Sequence, residues 1–334
     1  MTPADWTAQP ERSSLWALRA MRWLALRAGR RLARLALHPI TLYFLLVHHT
    51  ARRASQRYLG RALRRPARWR DVYRHLHCFA ATVLDRVYFL APGQVQFEVC
   101  ESGAHGVQQR LELADAANAP AGAMLLGAHL GSFEALRALA EQRHLPLAML
   151  MYADNARLIH ATLAALAPRL RLQTIALGRP GSMLALRGWL DGGGLAGLLA
   201  DRTLPAHAVP ALHAARSRTS TLPFLGHPAR FSDAPFRLAA LLRRPVFFMV
   251  GLYRGGKRYD VRFTLLADFG APFATASIEV RDAQIAAALR RYVALLESLC
   301  REAPFNWFNF FDFWADDDVD GKPAAVAQQP ATPR

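Results

Sequence analysis

The chain has 334 residues, of which 52% are apolar and 10% aromatic. That is enough to bury the core of one large α/β domain, and it excludes a disordered or fibrous protein. The formal charge is +17, carried by arginine rather than lysine, since Lys257 and Lys322 are the only lysines. Cys78, Cys100 and Cys300 are odd in number and far apart, which speaks against a disulfide framework or a zinc site.

Residues 1–12 read as a loose terminus. Helical patterns follow over 13–36 and 39–63, and Arg64-Arg65-Pro66 ends the second. Residues 1–74 hold 16 arginines against Asp5, Glu11 and Asp71, so most of the net positive charge sits in the first quarter. Basic segments mark nucleic acid or an anionic membrane. Here the arginines alternate with Leu, Trp and Ala, which suits a helix lying at a lipid interface rather than a nucleic-acid arm. Leu35 to Ala51 carries no Lys, Arg, Asp or Glu, yet it is shorter than the about 20 apolar residues a span needs, and Pro39 interrupts it. The expectation is an interfacial or marginally spanning anchor; the alternative is a helix packed on the following domain.

A third helix is expected over 71–90, ended by Pro92-Gly93. Strands are then expected at 95–100, 123–127, 147–151, 172–177, 195–200, 246–252 and 259–266. Helices are expected at 131–142, 155–167, 180–190, 233–243 and 279–302. This alternation predicts an α/β fold with a largely parallel central sheet covered by helices. Residues 203–232 show no strong periodic element and read as a long functional loop. The division expected is a basic helical module at 1–70, an α/β domain at 71–318 and a disordered tail at 319–334.

The strand Ala123–Leu126 runs into Gly127, Ala128, His129, Leu130, Gly131, Ser132, Phe133 and Glu134. The glycines allow a tight turn, and Ser132 is a natural N-cap for the next helix. His129 and Glu134 thus meet at the C-terminal edge of a buried strand, where open α/β sheets carry their chemistry. A histidine oriented by a carboxylate is a general base. The plain alternative is a loop histidine followed by a glutamate that the helix dipole favours. Leu130-Gly131-Ser132-Phe133-Glu134 lacks the Gly-x-Ser-x-Gly of a nucleophile elbow, so direct attack is preferred over an acyl-serine. Gly192 to Gly197 formally contains Gly-x-Gly-x-x-Gly, but it follows a helix and precedes a strand, the reverse of a dinucleotide site. No cofactor or metal is expected.

The His129–Glu134 stretch resembles the catalytic block of the bacterial lysophospholipid acyltransferase-like superfamily, in which histidine and an acid stand four residues apart. With glutamate as the acid it is closer to the lipid A late (lauroyl or myristoyl) acyltransferases. The likeness extends over roughly residues 70 to 315. It includes Met151 to Asn155, Gly178 to Met183, Leu199 to Arg202, Leu222 to Gly226 and the aromatic run Phe305 to Trp314. That run resembles an acyltransferase branch associated with aryl-polyene-type lipids. The resemblance implies a glycerolipid-acyltransferase-like domain in which His129 is the base and Glu134 fixes its tautomer. It favours Arg179 as a holder of the donor's phosphate; Arg202, Arg169 and Arg171 are candidates by guanidinium chemistry near the same edge, against the plain alternative of solvated or ion-paired surface arginines. It also places Phe224 and Gly226 at the acceptor and acyl site, although Ser232 to Phe236 departs from the usual continuation.

Asp201, beside Arg202 at a strand end, either lines the cleft or forms a local salt bridge. The aromatic run reads as core, or as part of an acyl pocket. The expected activity is transfer of a fatty acyl chain from a carrier-protein or coenzyme A thioester to a hydroxyl of a membrane lipid, a lipid A-type acyltransfer. The expected location is the inner membrane, catalytic domain toward the cytoplasm. Partners are the donor, the lipid acceptor and an anionic membrane surface, without nucleic acid. The competing readings are a non-catalytic basic membrane- or nucleic-acid-binding protein and a lipid hydrolase using the same pair on water.

Overall fold

Three helices open the chain in the computed structural model, which describes residues 15–90, 93–103, 106–107, 122–152, 173–202, 219–270, 273 and 275–314. The expected helix at 155–167 and the termini lie outside these residues. Helix α1 (Leu15–Val47) is 33 residues long and kinks at Gly29, where φ is 78°. A break was expected just before Pro39. Instead the helix continues through it, and the residue whose carbonyl loses its N–H partner, Leu35, is exposed. Helix α2 (His49–Ala62) and helix α3 (Trp69–Phe89) complete the set.

Part of the N-terminal charge points inward. Asp85 of α3 is fully buried and takes Arg30 through two bonds of 2.8 Å. The Tyr259 hydroxyl donates to the same carboxylate at 2.9 Å, and Arg34 donates to the Tyr253 hydroxyl at 2.7 Å. Ala25, Ala33 and Leu37 of α1 share one apolar cluster with Tyr253 and Tyr259, while Tyr58 and Leu59 of α2 share the other with Trp307. The expected domain boundary near residue 70 therefore does not divide the hydrophobic core. Among the described residues no helix is long and apolar enough to cross a membrane.

The strands are β1 (Glu98–Ser102), β2 (Ala123–Gly127), β3 (Leu147–Tyr152), β4 (Thr174–Leu177), β5 (Leu195–Leu199), β6 (Thr219–Phe224), β7 (His227–Ser232), β8 (Pro245–Tyr253) and β9 (Arg258–Asp268). The helices among them are α4 (Phe133–Gln142), α5 (Ser182–Asp191), α6 (Ala234–Leu241) and α7 (Ile278–Glu302). Seven strands form one sheet in the order β1-β9-β8-β2-β5-β3-β4. Only the β8–β9 pair is antiparallel. Met124 and Leu126 of β2 enter one core layer, with Val246 and Phe248; Ala123 and Leu125 enter the other, with Phe247 and Met249. Such two-sided burial makes β2 a continuous apolar run rather than an alternating one.

Strands β6 and β7 form a separate antiparallel hairpin within the stretch read as loop. Its turn is Leu225-Gly226, both at positive φ (53° and 82°). The signal was masked because Pro223 and Pro228 stand opposite each other in the ladder and a leucine occupies a turn position normally given to Asn, Asp or Gly.

Candidate active site

The turn from β2 into α4 is built on close backbone approach. Gly131 has φ 75°, and a Cβ there would lie 2.1 Å from the Gly251 carbonyl oxygen. The Ser132 N–H donates to that same oxygen at 2.7 Å. Ser132 then caps α4 by accepting from the Ala135 N–H at 3.4 Å. The turn is also clamped by the segment after α7: Gly131 N–H donates to the Asn306 carbonyl at 2.8 Å, and Phe308 N–H donates to the His129 carbonyl at 2.6 Å.

Strand β5 lies directly beside β2 in parallel, with Gly127 opposite Leu199. Two residues beyond each of these stand His129 and Asp201, so the register carries them to the same level. His129 Nδ1 lies 2.8 Å from Asp201 Oδ1, and the His129 main-chain N–H donates to Oδ2 at 3.0 Å. The Trp307 indole N–H donates to Oδ2 at 2.9 Å, and Asn309 Nδ2 approaches it at 3.4 Å. The Asp201 side chain is 0% exposed, whereas that of His129 is 29% exposed. Burial alone would raise the carboxyl; the His129 charge and hydrogen bonds and the neighbouring Arg202 outweigh it and hold Asp201 at about 2. An ionised carboxylate can only accept. His129 Nδ1 therefore carries the hydrogen, and Nε2 of the neutral ring is left as the base.

Glu134 occupies a different place. It sits in the first turn of α4 and its carboxylate approaches Arg86 of α3 at 2.7 Å, an ion pair without hydrogen-bond alignment. The imidazole-orienting role that the resemblance gave to Glu134 falls to Asp201 in this structure. The reason is geometric: α4 carries Glu134 toward α3, while β5 delivers Asp201 alongside the histidine. Asp201 itself is fully buried, with its oxygens committed to His129, Trp307 and Asn309. Phe224, fully buried, packs at 5.4 Å from Trp307 and stacks with Trp314, and Gly226 forms the exposed hairpin turn. Phe224 thus belongs to the aromatic layer around Trp307.

Arg202 donates through Nε to Asn309 Oδ1 at 3.0 Å and lies over the Phe311 ring at 5.2 Å. Burial pulls its guanidinium below the ordinary value, against the opposing pull of Asp201. Arg179 is exposed in the turn after β4. It shares the His129 edge but three strand spacings away, about 14 Å along the sheet. Arg169 and Arg171 lie outside the described residues. Among the described residues no group of three or more histidine, cysteine, aspartate or glutamate side chains is placed to hold a metal ion.

Trp307, Asn306 and Asn309 are site residues that the sequence reading treated only as part of an aromatic run. The two asparagines inside an otherwise aromatic stretch were the available signal, because a buried amide needs polar partners. No protein-family model matches the chain, and no curated protein matches it.

Proposed function

We propose that the chain is an O-acyltransferase that moves a fatty acyl chain from a carrier-protein or coenzyme A thioester to a hydroxyl of a membrane lipid, as in lipid A-type acylation. The observation that carries this reading is the His129–Asp201 pair, a part-exposed imidazole backed by a buried, fully hydrogen-bonded carboxylate at the C-terminal edge of the central parallel strands. His129 Nε2 takes the hydroxyl proton as the oxygen attacks the thioester carbonyl. The carbon–sulfur bond breaks, and the imidazolium returns the proton to the leaving thiolate. Arg202, next to Asp201 at the same strand edge, steadies the oxyanion. Arg179 meets the donor's phosphate farther along the same edge, a separation that an extended phosphopantetheine arm bridges.

The membrane side of the proposal rests on α1. Leu32, Leu35, Leu42, Tyr43, Phe44 and Leu46 are exposed on it, with Arg27, Arg31 and Arg53 exposed nearby in the chain. Apolar side chains mixed with arginine suit an anionic lipid interface. The proposed location is the inner membrane, catalytic edge toward the cytoplasm.

The test incubates the full-length chain with acyl-CoA or acyl carrier protein thioester and a membrane lipid extract, with product mass spectrometry. Acylated lipid that disappears in His129→Ala supports transfer. Free fatty acid in place of acyl lipid identifies a hydrolase, and vesicle binding without thioester turnover identifies a binding protein; either overturns the proposal.

A further inference from the structure

His75 lies in the middle of α3, fully buried, and both its ring nitrogens are engaged. Nε2 is 2.8 Å from the Trp307 carbonyl oxygen. Nδ1 is 2.7 Å from Ser55 Oγ of α2. A carbonyl only accepts, so Nε2 carries the hydrogen and Nδ1 accepts from the Ser55 hydroxyl. The ring sits among aromatic faces, at 5.4 Å from Tyr58 and 4.9 Å from Phe310. Burial pushes the imidazole down to about 4, so the ring stays neutral near pH 7 and this arrangement does not alternate.

The carbonyl that His75 holds belongs to the residue that holds Asp201. The Trp307 indole donates to Asp201, its main chain pairs with Leu130, and the next N–H donates to the His129 carbonyl. A shift of the 307–308 main chain therefore moves both members of the pair. We infer that His75, set by Ser55, is a positioning residue for the His129–Asp201 pair, acting through the Trp307 main chain and indole. On this inference α2 and α3 are parts of the site, linked to it by hydrogen bonds, and not only a basic extension. The inference rests on the reading of His129–Asp201 as the reacting pair.

The test uses the full-length chain with two readouts. The first is the Trp307 indole N–H cross-peak, assigned with Trp307→Phe, which reports the bond to Asp201 whatever the activity. The second is thioester turnover with kcat and KM separated. His75→Phe is expected to move the cross-peak upfield and to lower kcat about ten- to hundredfold, the range of one lost buried hydrogen bond, with KM for acyl-CoA unchanged. His75→Gln, which restores a donor near the Nε2 position, is expected to recover most of both. If His75→Phe does not fold, Ser55→Ala is expected to move the same cross-peak. A folded His75→Phe, or failing it Ser55→Ala, with the cross-peak unmoved and kcat at the wild-type value overturns the inference. A cross-peak that moves while turnover is insensitive both to His75→Phe and to His129→Ala leaves the linkage standing and removes the catalytic reading.

Discussion

Replacing Asp201 by asparagine separates the two carboxylates that could serve His129. The Asp201 carboxylate accepts from His129 Nδ1, His129 N–H and the Trp307 indole, and Asn309 approaches it. An asparagine has one acceptor oxygen and one NH2 group. If the oxygen faces Trp307, the NH2 faces Nδ1, which must then accept; Nε2 gains the hydrogen and ceases to be a base. If it faces Nδ1, the His129 main-chain N–H and the Trp307 indole lose their acceptor. The imidazolium formed during reaction also loses an opposing charge worth about 4 kcal/mol at 4 Å and an effective dielectric of 20. That is roughly a thousandfold, and tautomer loss in related triads lowers kcat about 10⁴-fold. We therefore expect Asp201→Asn to lower kcat about 10³- to 10⁴-fold. Glu134→Gln breaks an ion pair between buried Glu134 and part-exposed Arg86, which costs stability but leaves His129 oriented, and should change kcat less than about tenfold. Thiol release from acyl-CoA with lipid extract as acceptor, together with melting curves, measures both. A folded Asp201→Asn enzyme of near-normal kcat beside an inactive Glu134→Gln would refute this assignment and return the orienting role to Glu134.

Arg179→Ala should raise KM for the donor about tenfold, a charge-assisted contact discounted for exposure, with kcat and vesicle binding unchanged; equal donor KM would remove Arg179 from the donor site. The pH dependence of stability should fall in two windows. His75, neutral in the fold until about pH 4 but titrating near 6.5 when unfolded, contributes stability fully present above pH 6.5 and lost as pH falls toward 4, about 3 kcal/mol in all. Asp201, at about 2 in the fold, contributes about 2 kcal/mol that is lost between roughly pH 4 and 2. Denaturation of His75→Phe across pH 4 to 6.5 should be correspondingly flatter, and an unchanged slope would assign it elsewhere. Gly131→Ala forces a Cβ to 2.1 Å from the Gly251 oxygen and should cost about 3 kcal/mol or more, visible as a lower Tm. Deleting residues 1–63 removes Arg30 from buried Asp85 and Tyr58 from Trp307, so a cooperative melting transition should be lost. A truncated chain that melts normally would show that the first two helices are dispensable to the core.

Local pattern determined much of this protein. The apolar run at Ala123, the glycines that follow and the Ser132 cap specify a strand, a tight turn and a helix, and the structure places them there, because each depends on neighbours a few residues away. The same is true of the wrong-way Gly192–Gly197 motif, which starts in the turn after α5 and ends inside β5. Which carboxylate meets His129 was not a local matter. Asp201 is 72 residues away, and it arrives only because β5 inserts between β2 and β3. Strand order is decided by how helices and apolar faces cover the whole sheet, and residue spacing carries no record of it. Trp307, 106 residues from Asp201, reaches the site through the chain's return after α7. Its role as a donor depended on a buried carboxylate needing partners, a requirement that exists only once the two are enclosed together.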